Sequence, residues 1–499
     1  ESTTSTGTGE NNDFSEGVVE DDIESITDEN LRDTGTKIVD TDTIYIKAPT
    51  LKETKSHVVP FEDLSDNRKI DHYMSTIREE TREFLKIKFM DFMKDTKGTV
   101  GHMAREFEMR KSAYRQLRAR TSTKGTLDVN KLHKYEYDDM LFKQVSHLAD
   151  GKNHGMIMLI DYSGSMCNMI QQVLDQTIAL AMFCKKVNIP FKVYGFNSVA
   201  SNSLRQYFED KGYPYGERDI RETGTEGVRE IWDNWVLYDL VNSDMKKSTF
   251  NKALYEMYML DRVNHYNLRG RMGQAHFEGM GSTPLNSSLF GVKQLMDEFQ
   301  KTANIQKMNL VTLTDGDSDQ IYLTTPNKSS MRPTSSYDGF HRGIIDFGTH
   351  KENIKQGDFE TSSILKNLFG KVTTVHFDIL PYAQSVKNKV NQYIRIKRNE
   401  NDAISHDQFY DGFWDEVKAV QKESLKTLKK EGILVWDKFG GYDRTILVSA
   451  DSDSMRGKVS KVEVTSDMTP AQTAKAFSVG MEGKKRSKVF ARAFAEVVS

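Results

Sequence analysis

The sequence predicts an α/β fold: a doubly wound, mostly parallel sheet with an inserted subdomain, N-terminal helices and a disordered acidic tail. Three observations predict it. Four runs, "GMIMLID" (155–161), "PFKVYGFN" (190–197), "KMNLVTLTD" (307–315) and "KVTTVHFDIL" (371–380), read as buried apolar strands of a sheet covered on both faces. Helical spacing separates them, as in the segment through Met169, Ile170, Val173, Leu174, Ile178 and Met182. Two of the runs end on a carboxylate, Asp161 and Asp315, which places both at the carboxyl edge where open α/β sheets bind ligands.

Taken in order, residues 1–66 hold 17 Asp or Glu against 5 Lys or Arg. That balance of −12 leaves +9 for the remainder of a chain whose net charge is −3. Ser, Thr, Gly and acids cannot bury enough apolar surface to offset their ordering entropy, so this segment reads as a tether. Within it, "TIYIKAP" (43–49) suits an extended strand. Residues 67–150 read as a helical hairpin, with Ile70, Met74, Ile77, Phe84, Ile87 and Phe92 on the first helix, residues 100–120 as the second, and a connector after it. The α/β domain spans 151–405, with insertions near 199–275 and 317–370. "IWDNWVLYDL" (231–240) is aromatic and amphipathic, and reads either as packing for the first insertion or as a partner-docking helix. Residues 406–499 form an α+β extension: two strands around Gly440–Gly441, a helix opening near Pro470, and a last helix.

Composition excludes several classes. No window reaches the ~18 uncharged apolar residues of a membrane span. Cys167 and Cys184 alone cannot make a disulfide scaffold, so a cytoplasmic location is the simpler expectation. Short basic runs such as "EGKKRSK" (482–488) read as a solvated face rather than a nucleic-acid footprint. There is no G-x-x-x-x-G-K-[ST] loop, no G-x-S-x-G elbow and no H-E-x-x-H pair, and His154 and His376 read as packed histidines.

The chemistry gathers at strand ends. "DYSGS" puts Asp161, Ser163 and Ser165 on one tight turn; "GMGSTP" sets Thr283 before Pro284, at a helix N-cap; "TDG" carries Asp315 ahead of Gly316. Five oxygen groups without His or thiolate suit a hard ion, Mg²⁺ or Mn²⁺. With mostly neutral ligands the ion stays electrophilic, and an open position would accept a carboxylate from another protein.

D-x-S-x-S at 161–165, the Gly-rich loop with Thr283 and T-D-G at 314–316 resemble the metal-ion-dependent adhesion site of Rossmann-like von Willebrand factor A domains. Ser282 stands where that pattern has a second glycine, and the spacing from Ser165 to Thr283 is long. Over about 100–400, "HMAREFEMRKSAYRQLRARTSTKGTLDVNKL" followed by "LIDYSGSM" is similar to cobaltochelatase CobT-type subunits, and the tail is similar to versions encoded by tailed phages. The resemblance implies a non-enzymatic subunit that binds Mg²⁺ through Asp161, Ser163, Ser165, Thr283 and Asp315. Its implied partners are a CobS/MoxR-type AAA+ ATPase and a client protein offering an Asp or Glu, in the host cytoplasm if the chain is viral. The alternatives are a metal-dependent adhesion or structural protein without an ATPase partner, and a chelatase or hydrolase component.

Overall fold

The computed structural model describes residues 43–117, 120–122, 145–147, 153–212, 228–231, 234–267, 277–324, 331–333, 342–347, 351–354, 359–380, 383–399 and 412–449. The acidic segment through residue 42, most of the connector, and the tail beyond 449 with both helices expected there lie outside the described residues.

In chain order the first elements are β1 (Thr43–Lys47), α1 (Leu51–Ser56), β2 (Val58–Val59), α2 (Phe61–Arg68), α3 (Ile70–Thr76) and α4 (Glu79–Leu117). A short hairpin pairs β3 (Arg120–Ser122) with β4 (Val145–His147). Then come β5 (His154–Asp161), α5 (Ile170–Lys186), β6 (Phe191–Asn197), α6 (Asn202–Asp210), β7 (Val228–Glu230), β8 (Val236–Asn242) and α7 (Lys247–Asn267). Next follow α8 (Leu285–Thr302), β9 (Lys307–Thr314), β10 (Tyr322–Thr324), β11 (Met331–Pro333), β12 (Arg342–Asp346), β13 (Lys351–Ile354) and α9 (Thr361–Phe369). The last are β14 (Thr373–Leu380), α10 (Ala383–Asn399), α11 (Phe413–Glu431), β15 (Ile433–Asp437) and β16 (Arg444–Ser449).

The main sheet has eight strands in the order β15-β16-β14-β9-β5-β6-β8-β2. Its five central strands, β16 to β6, are parallel, and an antiparallel pairing starts each flank, β15 on β16 and β8 on β6. The fold is thus α/β with a mostly parallel sheet. The four apolar runs are strands because helices cover both of their faces. Met156, Met158 and Ile160 of β5 face a core shared with α4, α5 and α7, while Ile157 and Leu159 face one shared with α8 and α9. A smaller cluster joins α10 and α11 to β15 and β16.

Four expectations change in the folded chain. Residues 43–66 do not belong to the tether: Val59, Phe61 and Leu64 are buried in the first core, and β2 pairs with β8. A few apolar anchors among many charges escape a compositional reading, yet each buries a full side chain. Secondly, the expected hairpin is a short helix, α3, carrying Ile70 and Met74, followed by one 39-residue helix, α4, which runs straight through Gly98. A helical glycine costs about 1 kcal/mol against alanine; burial of Leu85, Val100, Met103 and Phe107, with Phe107 edge-on to Phe183 at 5.7 Å, outweighs it.

Thirdly, in the described part of 199–275 the run 234–240 is not a docking helix. "WVLYDL" enters the main sheet as β8 beside β6, with Trp235 buried and stacked on His57 at 4.5 Å. Apolar residues on both faces of that run fit a covered strand better than a helix surface. Finally, the strand pair expected in a C-terminal α+β extension is continuous with the main sheet, because β16 docks parallel to β14 in six-residue register. Within 317–370, β12 and β13 join β1 and β7 in a four-stranded sheet, and α9 is the crossover helix between β9 and β14.

Candidate metal centre

Strand register brings the carboxyl-edge residues into one row. Ile160 of β5 lies beside Leu313 of β9, so Asp161 neighbours Thr314, and Thr314 in turn pairs with Asp378 of β14. The turn after β5 is a 3-10 helix (Gly164–Asn168), which lifts Ser163 and Ser165 over the strand end.

A chain of oxygens follows. Asp161 is fully buried; its Oδ1 accepts from the Ser163 N–H at 2.7 Å and its Oδ2 from the Thr314 hydroxyl at 2.5 Å. Ser163 Oγ lies 3.0 Å from Ser165 Oγ, which donates to Asp315 Oδ1 at 2.7 Å. Burial pushes the Asp161 carboxyl up to about 6, against the hydrogen bonds from Thr314 and Ser163 that hold it down. Burial also raises Asp315, and the Ser165 hydroxyl lowers it. Two crowded carboxylates whose charged forms are disfavoured by burial are groups that a cation would stabilise.

Thr283 reaches this cluster through its loop rather than its side chain. Gly164 N–H donates to Gly281 O at 2.9 Å, and Ser163 and Gly281 form an isolated parallel bridge. Asp319 Oδ2 accepts the Thr283 N–H at 2.8 Å while its own N–H returns to Thr283 O at 2.8 Å. The loop of Thr283 is therefore stitched to the turns after both β5 and β9, but no hydrogen bond joins its hydroxyl to the other four groups. The expected N-cap role changes too. Pro284 occupies the cap of α8 and makes no side-chain cap bond, so the Thr283 hydroxyl is not engaged in capping.

The sequence reading missed the residues that hold these loops. Asn197, at the end of β6, accepts from Gly281 N–H at 3.0 Å and donates to Gly279 O at 2.5 Å. Ser198 Oγ takes the Ser282 N–H at 2.9 Å, which gives the serine at that departure a backbone role. Gly281 must be glycine: a Cβ there would run into Ser198 Oγ and stand 2.9 Å from Ala200 Cβ. Asn197 closing an apolar strand was the available signal for the first of these; Asp319 ends the acidic run "DGDSD" (315–319) that starts at Asp315.

Among the described residues, no three His, Cys, Asp or Glu side chains group as they would for a metal held by those types alone. The five candidates contain two carboxylates and three hydroxyls, a donor set that suits a hard ion completing its shell with water. Asp161, Ser163, Ser165 and Asp315 form one continuous cluster, and Thr283 stands on the adjoining loop.

No family model and no curated protein matches the chain. Among solved structures, the pilus adhesin SpaC from Lactobacillus rhamnosus GG, in its open conformation, is similar at 14% identity and a TM-score of 0.27, over 55% of this chain and 31% of that one. The match spans less than a third of the adhesin's length, and a likeness this low carries no argument.

Proposed function

We propose that the chain is a non-enzymatic, Mg²⁺-dependent interaction subunit built on a von Willebrand factor A domain of the CobT-like kind. In this reading it acts with a CobS/MoxR-type AAA+ ATPase on a client protein. One observation carries it: the Asp161–Ser163–Ser165–Asp315 oxygen cluster, formed by turns at adjacent strand ends and joined by the Thr283 loop. The parallel sheet with an antiparallel strand beyond β6 also supports it, since that order sets β5 and β9 side by side at the sheet's middle.

Asp161, Ser163, Ser165, Thr283 and Asp315 would hold the ion, which when bound supplies an electrophilic position for a partner carboxylate. The chain's own groups hold that geometry: Thr314 and the Ser163 N–H orient Asp161, and Asp319 and Asn197 fix the Thr283 loop. No helix among the described residues is long and apolar enough to cross a membrane.

Calorimetric titration of Mg²⁺ into wild type and Asp161→Ala tests the site. Saturable binding in wild type, lost in a folded Asp161→Ala, is the expected result. A chelator-sensitive association with a purified AAA+ ATPase is the second arm. Absence of Mg²⁺ binding in wild type would make the cluster an ordinary strand-end turn and end this reading.

A further inference from the structure

A cavity of about 750 Å³ lies beside the oxygen cluster and shares Thr314 and residues 316–319 with the loop that carries Asp315. Its lining mixes buried apolar side chains, Leu285, Ile321, Phe359 and Phe439, with buried polar ones such as Thr314 and Asp378. Around it stand four carboxylates, Asp317, Asp319, Glu360 and Asp378, and among the described residues Lys389 is the one cation lining it.

Asp378 is the buried carboxylate of the cavity, and one ammonium, Lys389, serves it. It is 1% exposed, and its Oδ1 accepts no hydrogen bond among the described residues. Lys389 Nζ stands 3.2 Å from Oδ2 but divides its charge, lying 3.1 Å from Asp317 as well. A buried carboxylate sharing its one cation calls for a further donor at Oδ1.

We propose that this cavity binds the basic side chain, Lys or Arg, of a protein partner docking on the metal edge; only the choice of a protein as the source rests on the function proposed above. The chemistry is matched in two parts. The apolar lining suits the aliphatic stem, as it does wherever long cationic side chains bury their methylenes. The carboxylates suit the charged head, and the neighbouring Phe439 and Tyr442 rings add faces for a cation. An anion would meet four carboxylates against one ammonium. A neutral apolar group would leave Asp378 Oδ1 without a donor.

The test is titration of argininamide into the full chain, with norvalinamide and acetate as controls, in EDTA and again in Mg²⁺. Argininamide should bind saturably in both buffers, and norvalinamide and acetate should not. Asp378→Asn should weaken it about tenfold, the difference between a charged and a neutral acceptor. Gln392→Arg, at an exposed position on the same helix as Lys389, places the chain's own guanidinium in the cavity and should block binding without touching the core. Argininamide binding that persists when Mg²⁺ fails to bind keeps the cavity assignment and removes the metal reading. Argininamide binding no better than norvalinamide, or unchanged by both variants, overturns the proposal, as does a preference for acetate.

Discussion

Replacing Arg68 by methionine should be among the most damaging single changes in this chain. Arg68 closes α2, and its guanidinium is 1% exposed. Its Nε and Nη2 donate to the two oxygens of Glu278 at 2.7 and 2.6 Å, and Nη1 lies 3.6 Å from Glu256. Glu278 is itself 2% exposed and has no other cation within ion-pair distance among the described residues. Methionine fills much of the arginine's volume but leaves that carboxylate buried without a counter-charge. Removing one partner of such a pair costs about 3–5 kcal/mol, a large share of the roughly 5–15 kcal/mol that folded proteins hold.

The loss should reach the site as well, because Glu278 immediately precedes the loop 279–283 that carries Gly281 and Thr283. Urea unfolding of wild type and Arg68→Met, with Mg²⁺ titration on the folded material, measures both effects. The double variant Arg68→Met/Glu278→Leu should recover most of the stability, since an apolar pair of similar volume needs no counter-ion. A single variant that loses less than about 1 kcal/mol, within the range of an exposed ion pair, would refute the argument that the pair is dry.

Three other outcomes are expected. Gly281→Ala should weaken Mg²⁺ binding about 10- to 100-fold, the usual cost of disturbing groups that support metal ligands, because its Cβ would displace Ser198 and Ala200; calorimetry reads this directly. Burial lowers the His376 imidazole to about 3, with Lys389 adding to the shift against the Thr312 bond, so the folded chain keeps it neutral. Its contribution is therefore present above the unfolded value near 6.5 and is lost as pH falls from there toward 3, by at most about 1.4 kcal/mol per pH unit. The stability difference between wild type and His376→Phe, followed by denaturant midpoints from pH 7 to pH 4, should shift in the variant's favour on acidification. Gly441→Ala should destabilise by about 1–3 kcal/mol, since φ is +84° and a Cβ there would strike the Ser362 backbone; thermal unfolding reports it.

Most of the central sheet was legible in the sequence. The runs ending at Asp161, Asn197, Asp315 and Leu380 are β5, β6, β9 and β14 to within a residue or two at each end, because strands buried on both faces leave continuous apolar signatures. The candidate ligands were legible for a related reason: Asp161, Ser163, Ser165 and Asp315 each sit at or just beyond a strand end, and position along a strand fixes the edge a side chain reaches. The run that became β8 was misread because its burial comes from α2, α7 and the neighbouring strand, none of which a local window contains. A second helix starting at residue 100 is the local reading of α4, whereas packing on α5 carries the helix through Gly98.

What the sequence alone determined is therefore the local part: which segments are strands, which strand ends carry oxygen donors, and that the donor types suit a hard cation. Tertiary structure decided everything that depends on distant partners. It set Asp161, Thr314 and Asp378 in one row, tied the Thr283 loop through Asn197 and Asp319, and brought Arg68 to Glu278 across 210 residues. Strand order and buried ion pairs carry no local periodicity, so they exist only once the cores on the two sheet faces have closed and the dry interior makes each charge need its partner.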